Sequence, residues 1–503
     1  MDIISKTISA LFSERLKKID LYGVQAVDIQ QRQLMNLLEQ SCRTEFGRKY
    51  KFDEIKKYNT YSERVPAVSY EKLHPCIEQM IRGEKNVLWP SAVKWYAKSS
   101  GTTNDRSKYI PVTKEILRNC HYKGALDSVL LYLRNNPQSR FFSKKGLILG
   151  GSHKPAAINS KSHSGDLSAV LLQKANLLLN LVRVPAKKIV LMDEWEAKLK
   201  AVVENTVNKD IVSISGVPSW MLVLLKAVLE KTGKNTISEV WTNLEVFFHG
   251  GMGFDPYRRQ YESVIGSETM RYMEIYNASE GFFGIQDNLS ETGMLLMLDY
   301  GVFYEFLSTN SDNQKIIPLE DVKIDENYEI IITTAGGLWR YRIGDTIRFT
   351  SVFPHKFIIT GRTKQYINAF GEELMVDNSN KGIKRACEKT NALVRFYSAA
   401  PLFYTTGKGL HQWIIEFEKK PASIDDFALH LDNALQQLNS DYESKRYKNI
   451  FLQRLEIIEA RKDLFFDWLK MHEKLGGQHK IPSLSNDRKI IDELIKMNDK
   501  TVD

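Results

Sequence analysis

At 503 residues the chain exceeds the size at which one hydrophobic core keeps growing, so two or more domains are expected. Its 43% hydrophobic and 26% charged residues are those of an ordinary globular protein, and no apolar run reaches the length of a membrane span, so no membrane partner is expected. The net charge of +9, from 70 basic against 61 acidic residues, is spread along the chain without a basic tail or aromatic-basic module. Nucleic acid is therefore not expected as a partner, and an anionic small substrate accounts for the balance.

The start, Met1-Asp2-Ile3-Ile4-Ser5-Lys6, lacks the basic and long apolar segments of a secretory leader. Cys42, Cys76, Cys120 and Cys387 are widely separated and show no Cys-x-x-Cys spacing, so reduced thiols and a cytoplasmic setting are expected. Residues 3–46 read as helices, with Leu34, Leu37, Leu38 and Cys42 at spacings of three and four. Residues 66–90 read as irregular. In 93–97, Val93, Trp95 and Ala97 alternate with Lys94 and Tyr96, the pattern of a strand with one buried face.

That strand leads into Lys98-Ser99-Ser100-Gly101-Thr102-Thr103-Asn104-Asp105-Arg106-Ser107-Lys108. Gly101 permits close backbone approach, Ser99, Ser100, Thr102 and Thr103 supply donors, and Arg106 and Lys108 add positive charge. These are the parts of a phosphate cradle; a Ser/Thr/Gly surface turn is the alternative. Thr113 is placed to cap the next helix, whose stripe of Ile116, Cys120, Val129 and Leu133 ends near Asn135-Asn136-Pro137.

A short buried strand over 146–151 precedes a polar loop, and 167–182 and 193–207 read as helices. Gly216-Val217-Pro218-Ser219-Trp220 introduces another helix, and 244–249 is a buried strand ending at Gly250-Gly251. Trp220 and His153 read as a core residue and a hydrogen-bonded loop residue, with substrate contact as the alternative. Helix and strand alternate here as in an α/β layered domain. From 290 onward strands dominate, at 294–298, 302–307, 328–333, 339–342 and 357–359, which suits a curved antiparallel sheet or small barrel. After Gly361-Arg362-Thr363-Lys364 come a helix near 380–388, strands 394–399 and 412–418, a helix 424–438, and a Lys- and Glu-rich tail read as a solvated helix face.

Two further stretches carry chemistry. In Tyr276-Asn277-Ala278-Ser279-Glu280-Gly281 a carboxylate stands beside a hydroxyl at a strand end, a pair that suits Mg2+, which prefers oxygen ligands and shares them with nucleotide phosphates. A capping serine and surface glutamate is the alternative. In Tyr341-Arg342-Ile343-Gly344-Asp345 an acceptor-only carboxylate follows a glycine and can take both hydroxyls of a ribose; an ordinary hairpin turn is the alternative.

The glycine-hydroxyl loop resembles the ATP-phosphate loop of the adenylate-forming superfamily that includes acyl-CoA synthetases and firefly luciferase. The run from Trp95 to Pro111 more closely resembles the acyl acid amido synthetases of the plant auxin-responsive (Gretchen Hagen) family and their bacterial relatives. Asn104 to Lys108 stand where the broader superfamily has a second glycine and Pro-Lys-Gly, which favours the narrower family. The resemblance extends in order to Tyr276-x-x-Ser279-Glu280-Gly281 and to Gly337-Leu338-Trp339-Arg340-Tyr341-Arg342-Ile343-Gly344-Asp345. It continues through the hinge from Gly361-Arg362 to Glu373 and ends at Lys480 before Pro482. Lys364-Gln365 replace the aspartate that many superfamily members carry at the pivot.

The resemblance implies an α/β fold with a large N-terminal domain, residues 1–361, of layered sheets, helices and a small β-barrel-like part that binds ATP and the acyl acid. A smaller, mobile α+β domain, residues 362–503, would follow the hinge. It implies that Ser99, Ser100, Gly101, Thr102 and Thr103 hold phosphate, Gly250 and Gly251 flank adenine, and Tyr276, Ser279 and Arg362 contact the nucleotide. Asp345 would hold ribose, Glu280 would hold Mg2+, and Lys480 would bridge the acyl carboxylate and α-phosphate. The implied reaction joins a small carboxylic acid to ATP as an acyl-adenylate, then passes the acyl group to an amine such as an amino acid. Thioester formation with coenzyme A, or a silent protein that binds nucleotide or acyl ligand, are the alternatives.

Overall fold

The strands Ile211–Gly216 and Val246–His249 are buried at successive positions, over 211–214 and 246–249, as in strands covered on both faces, and they lie side by side in parallel. The computed structural model describes residues 7, 10–99, 108–150, 156–174, 182–192, 194–255, 257–309, 315–363, 366–370, 372, 374–404, 409–446, 452–475 and 481–499. Around these two strands runs a 12-stranded sheet. Its parallel half orders Arg183–Val184, Lys145–Ile148, Ile211–Gly216, Val246–His249 and Arg271–Ala278. Its antiparallel half continues through Gly281–Ile285, Met294–Leu296, His355–Arg362, Tyr341–Val352, Asn327–Thr334, Val302–Ser308 and Ile316–Pro318. The helix Pro218–Thr232 begins with proline at its first position and ends at Gly233, whose φ of +66° is the left-handed conformation of a C-terminal cap.

A four-stranded sheet orders Lys108–Pro111, Trp95–Ser99, His163–Gly165 and Ala156–Ala157. Tyr96 and Ala97 are both buried, so the expected alternation fails: the strand is internal to its sheet and the helix Leu167–Lys174 packs on it. Residues 70–81, expected to be irregular, form the helix Tyr70–Ile81. Leu73, Ile77 and Met80 bury one face, and that burial outweighs the cost of Pro75 inside it. Trp339 and Arg340, expected in a strand, lie before Tyr341–Val352 because Gly337 (φ +86°) and Arg340 (φ +40°) break the ladder.

The C-terminal part is a three-stranded sheet of Leu393–Phe403, Gly409–Lys419 and Glu456–Glu459, with the helices Val376–Thr390 and Ile424–Leu438 packed together. The tail helix Lys489–Asp499 is not simply solvated: Ile491 and Leu494 are buried in an apolar cluster with Leu464, Phe465 and Trp468. The same cluster takes Trp195 and Trp220 from the N-terminal part, so this cluster is built from both parts. Tyr257 Oη donates to the carbonyl of Arg395 at 3.0 Å, and Gln260 Nε2 donates to that of Val394 at 2.9 Å, across the same junction. Among the described residues no helix is long and apolar enough to cross a membrane.

Candidate active site

The parallel strands end on one side of the sheet, and their carboxyl ends open into a cleft of about 460 Å³. Crevices for small ligands form there in α/β sheets because the loops that leave those strand ends diverge. Ile148, Gly150, Gly216, Phe248, Gly250 and Gly251 come from the strand ends, while Asp377, Asn380, Arg395, Tyr397, Ile481 and Ser483 come from the C-terminal part. The cleft is thus closed by both parts of the chain.

Three separate stretches meet on its floor. Arg271–Ala278 and Gly281–Ile285 form a tight hairpin in which Ala278 pairs with Gly281, which leaves Ser279 and Glu280 as a two-residue turn. Asp345 lies inside the strand Tyr341–Val352, next to a bulge where Gly344 adopts φ +86°. That placement corrects the hairpin-turn alternative. Arg362 is the partner of Asp345 across the ladder, at the end of His355–Arg362.

The Tyr276 hydroxyl donates to Asp345 Oδ2, and Arg362 Nε lies 2.6 Å from Oδ1. Asp345 is 6% exposed and lines the cleft, with Tyr276 on its Oδ2 and the Arg362 guanidinium on its Oδ1. Asp345 in turn holds the Arg362 guanidinium well above its ordinary pKa. Burial, reinforced by Asp345, keeps the Tyr276 phenol protonated. Glu280 is 8% exposed, and among the described residues no side chain is hydrogen-bonded or ion-paired to it. Its carboxyl is pushed upward by burial and by Asp345, with Arg362 and Lys108 opposing.

Gly250 is required by space: a Cβ there would lie 2.2 Å from the carbonyl oxygen of Ile275. Gly251 has φ +84°, a conformation that other residues rarely take. Together they let the chain turn flat against the strand carrying Tyr276. Trp220 is 7% exposed and both packs against Trp195 and lines the cleft, so the core and contact roles coincide.

The structure therefore brings together Gly250, Gly251, Tyr276, Ser279, Glu280, Asp345 and Arg362. Ser100, Gly101, Thr102, Thr103, Lys364, Gln365, His153 and Lys480 lie outside the described residues; Ser99 ends its strand, and Ile481, next to Lys480, lines the cleft. Glu274 was not anticipated. It lines the cleft on the same strand as Tyr276, and the two-residue period that put both on one face was available in the sequence. Burial first, then Asp255 and Asp377, push its carboxyl up to about 7, with Arg258 opposing. Asp377 belongs to the C-terminal part, which no local pattern linked to Glu274.

Among the described residues no group of three or more His, Cys, Asp or Glu side chains is placed to hold a metal. A single buried carboxylate fits a cation that keeps water and ligand oxygens for its other positions, as Mg2+ does, better than a protein-caged metal.

Family models match three consecutive regions: the GH3 family N-terminal domain over residues 15–270, its central domain over 295–362, and its C-terminal domain over 377–489. Among curated proteins the chain is similar to the indole-3-acetic acid-amido synthetase GH3.8 of Oryza sativa subsp. indica, at 23% identity over 93% of this chain and 90% of that one. It is also similar to the 4-substituted benzoates-glutamate ligase GH3.12 of Arabidopsis thaliana, at 21% identity over 94% and 95%. Among solved structures, the GH3.15 acyl acid amido synthetase superposes with a TM-score of 0.79 at 18% identity, covering 97% of this chain and 95% of that one. A 2-hydroxyisobutyryl-CoA ligase bound to an acyl-AMP superposes at 0.60 and 12% identity, covering 94% and 91%. The three family regions, in order, span most of the sequence, and by that measure the chain belongs to the GH3 family.

Proposed function

We propose that this protein is an ATP-dependent acyl acid amido synthetase. The observation that carries the reading is the set of buried Tyr276, Glu280 and Asp345 with partly exposed Arg362 on the floor of the cleft, in a chain of the GH3 family. The names of its relatives, ligases of acids with amino acids, agree with it.

A nucleotide in the cleft would place its ribose at Asp345, an acceptor-only carboxylate that Tyr276 and Arg362 hold in place. Gly250 and Gly251 line the cleft where the chain lies close against the strand carrying Tyr276, and the base is proposed to sit beside them. The loop from Ser99 to Thr103 and Lys480 are proposed to hold the phosphates and the reacting carboxylate. Glu280 would hold Mg2+, which supplies charge neutralisation at the phosphates. The acid's carboxylate oxygen attacks the α-phosphorus and pyrophosphate leaves; an amine then attacks the acyl carbon and AMP leaves. Rate enhancement comes from positioning and from cations around developing charge, without a protein nucleophile.

Because both parts of the chain line the cleft, we place the hinge at Arg362 and divide the domains at residues 1–361 and 362–503. The apolar wall of Leu149, Trp220, Phe465 and Leu469 supports an acid with an apolar body. Free cysteines suit a reducing, ATP-supplied cytoplasm.

The test is mass-resolved product analysis with ATP-Mg2+, pooled aryl, indole and fatty acids, and pooled amino acids, beside a lane with coenzyme A in place of amino acids. AMP and a new amide mass are expected. A thioester formed only with coenzyme A moves the protein to acyl-CoA ligation, and no AMP in either lane overturns the enzymatic reading.

A further inference from the structure

The helix that follows Thr113 is irregular where it meets the Glu280 hairpin. Over Leu117–Tyr122 it widens to π-helical spacing between the α-helical segments Lys114–Ile116 and Lys123–Asn135. Such insertions are rare and recur at functional sites, because they re-aim successive side chains that a regular helix would spread around its axis.

Two successive residues of this turn grip the two strands of the hairpin. His121 Nδ1 lies 3.0 Å from Asn277 Oδ1; an amide oxygen accepts, so the ring donates from Nδ1. Cys120 Sγ accepts from the backbone N–H of Phe282 at 3.1 Å and donates to the Phe282 carbonyl at 3.8 Å. Asn277 and Phe282 are partners in the ladder, on the rung next to the one that closes the Ser279-Glu280 turn. Beyond Phe282 the ladder slips, between Phe282 and Gly284, so the pairing below that rung is irregular.

Both clamping side chains are buried, His121 at 1% exposure and Cys120 at 0%. Among the described residues His121 Nε2 has no partner, so Asn277 is the polar anchor of the ring. A Cβ at Gly124 would meet the Phe282 ring at 2.5 Å, so the helix lies flush against the hairpin.

We propose that His121 and Cys120 are positioning residues whose π-turn clamps the Asn277–Phe282 rung and so holds the Glu280 carboxylate aimed into the cleft. The functional part of this inference rests on the reading of Glu280 as the Mg2+ ligand. The clamp itself does not.

The experiment compares the full-length protein with His121→Leu, His121→Gln, Cys120→Ala and the double variant His121→Leu/Asn277→Ala. Hydrogen exchange read by mass spectrometry follows the peptide spanning residues 277–282. Loss of one part-buried hydrogen bond predicts exchange there faster by about tenfold in His121→Leu, with the rest of the chain unchanged. His121→Gln, which keeps a donor, restores protection, and adding Asn277→Ala to His121→Leu changes nothing further. For AMP formation, His121→Leu raises the half-saturating Mg2+ concentration by about tenfold while kcat at saturating Mg2+ stays within about twofold.

Unchanged exchange over 277–282 in a folded His121→Leu or Cys120→Ala variant overturns the clamp. Faster exchange with an unmoved Mg2+ requirement overturns the positioning role. If the wild-type protein forms no AMP, the proposed function has failed, and the exchange result still decides the clamp.

Discussion

Replacing Glu274 by glutamine isolates the electrostatics of the cleft. The Glu274 carboxyl is pushed from 4.5 to about 7 by burial, Asp255 and Asp377, against Arg258. The neighbouring aspartates are themselves paired, Asp255 with Lys384 at 3.8 Å and Asp377 with Lys381 at 2.8 Å and Arg348 at 3.7 Å. An acid whose folded pKa is raised binds more protons when folded, so its contribution to stability is complete below its unfolded value and is lost as pH rises through about 7. Between pH 5.5 and pH 8.5 this linkage is worth about 2 kcal/mol, and solvent screening of a half-buried side chain reduces it to about 1 kcal/mol. Glu274→Gln keeps the shape and is neutral throughout, so it removes this dependence. The assay is calorimetric Tm of both proteins at the two pH values. The wild-type Tm should fall relative to the variant by about 1 °C on going to pH 8.5. An identical fall in both proteins, or a relative rise in the wild type, refutes the reasoning.

Gly250→Ala should force apart the strands Val246–His249 and Arg271–Ala278, since its Cβ would sit 2.2 Å from a backbone oxygen. A loss of about 1–3 kcal/mol in denaturant unfolding, with weakened ATP binding, is expected; full ATP affinity would show that the base does not sit beside these glycines. Asp345→Asn leaves Arg362 without its ion pair and should weaken ATP binding by about tenfold or more in titration calorimetry. Unchanged affinity removes Asp345 from nucleotide binding. Glu305→Ala strands the buried Arg340 guanidinium, which now pairs with Glu305 at 2.7 Å, and should cost about 3–5 kcal/mol of stability. A loss under about 1 kcal/mol in denaturant unfolding would refute that account.

Local features of this protein were legible because they depend on near neighbours. The Thr113 cap forms as expected, its Oγ1 accepting from Ile116 N at 3.1 Å, since the motif needs only four consecutive residues. The helix Ile424–Leu438 has the expected bounds because its apolar face repeats with the helical period. Where a segment packs against distant chain, neighbour-based reading fails. Tyr70–Ile81 became helical through burial, and Tyr96 lost its exposed face to a helix far along the sequence.

For the candidate site the division is sharper. The residue types of Tyr276, Glu280, Asp345 and Arg362, their order and their family were determined by the sequence alone, because a carboxylate, phenol or guanidinium carries its chemistry wherever it stands. Tertiary structure alone decided that Tyr276 donates to Asp345, that His121 holds Asn277, and that Asp377 faces Glu274. Each of those pairs joins segments far apart along the chain, and their meeting depends on strand register and domain packing summed over the whole fold. No window of neighbouring residues contains that information.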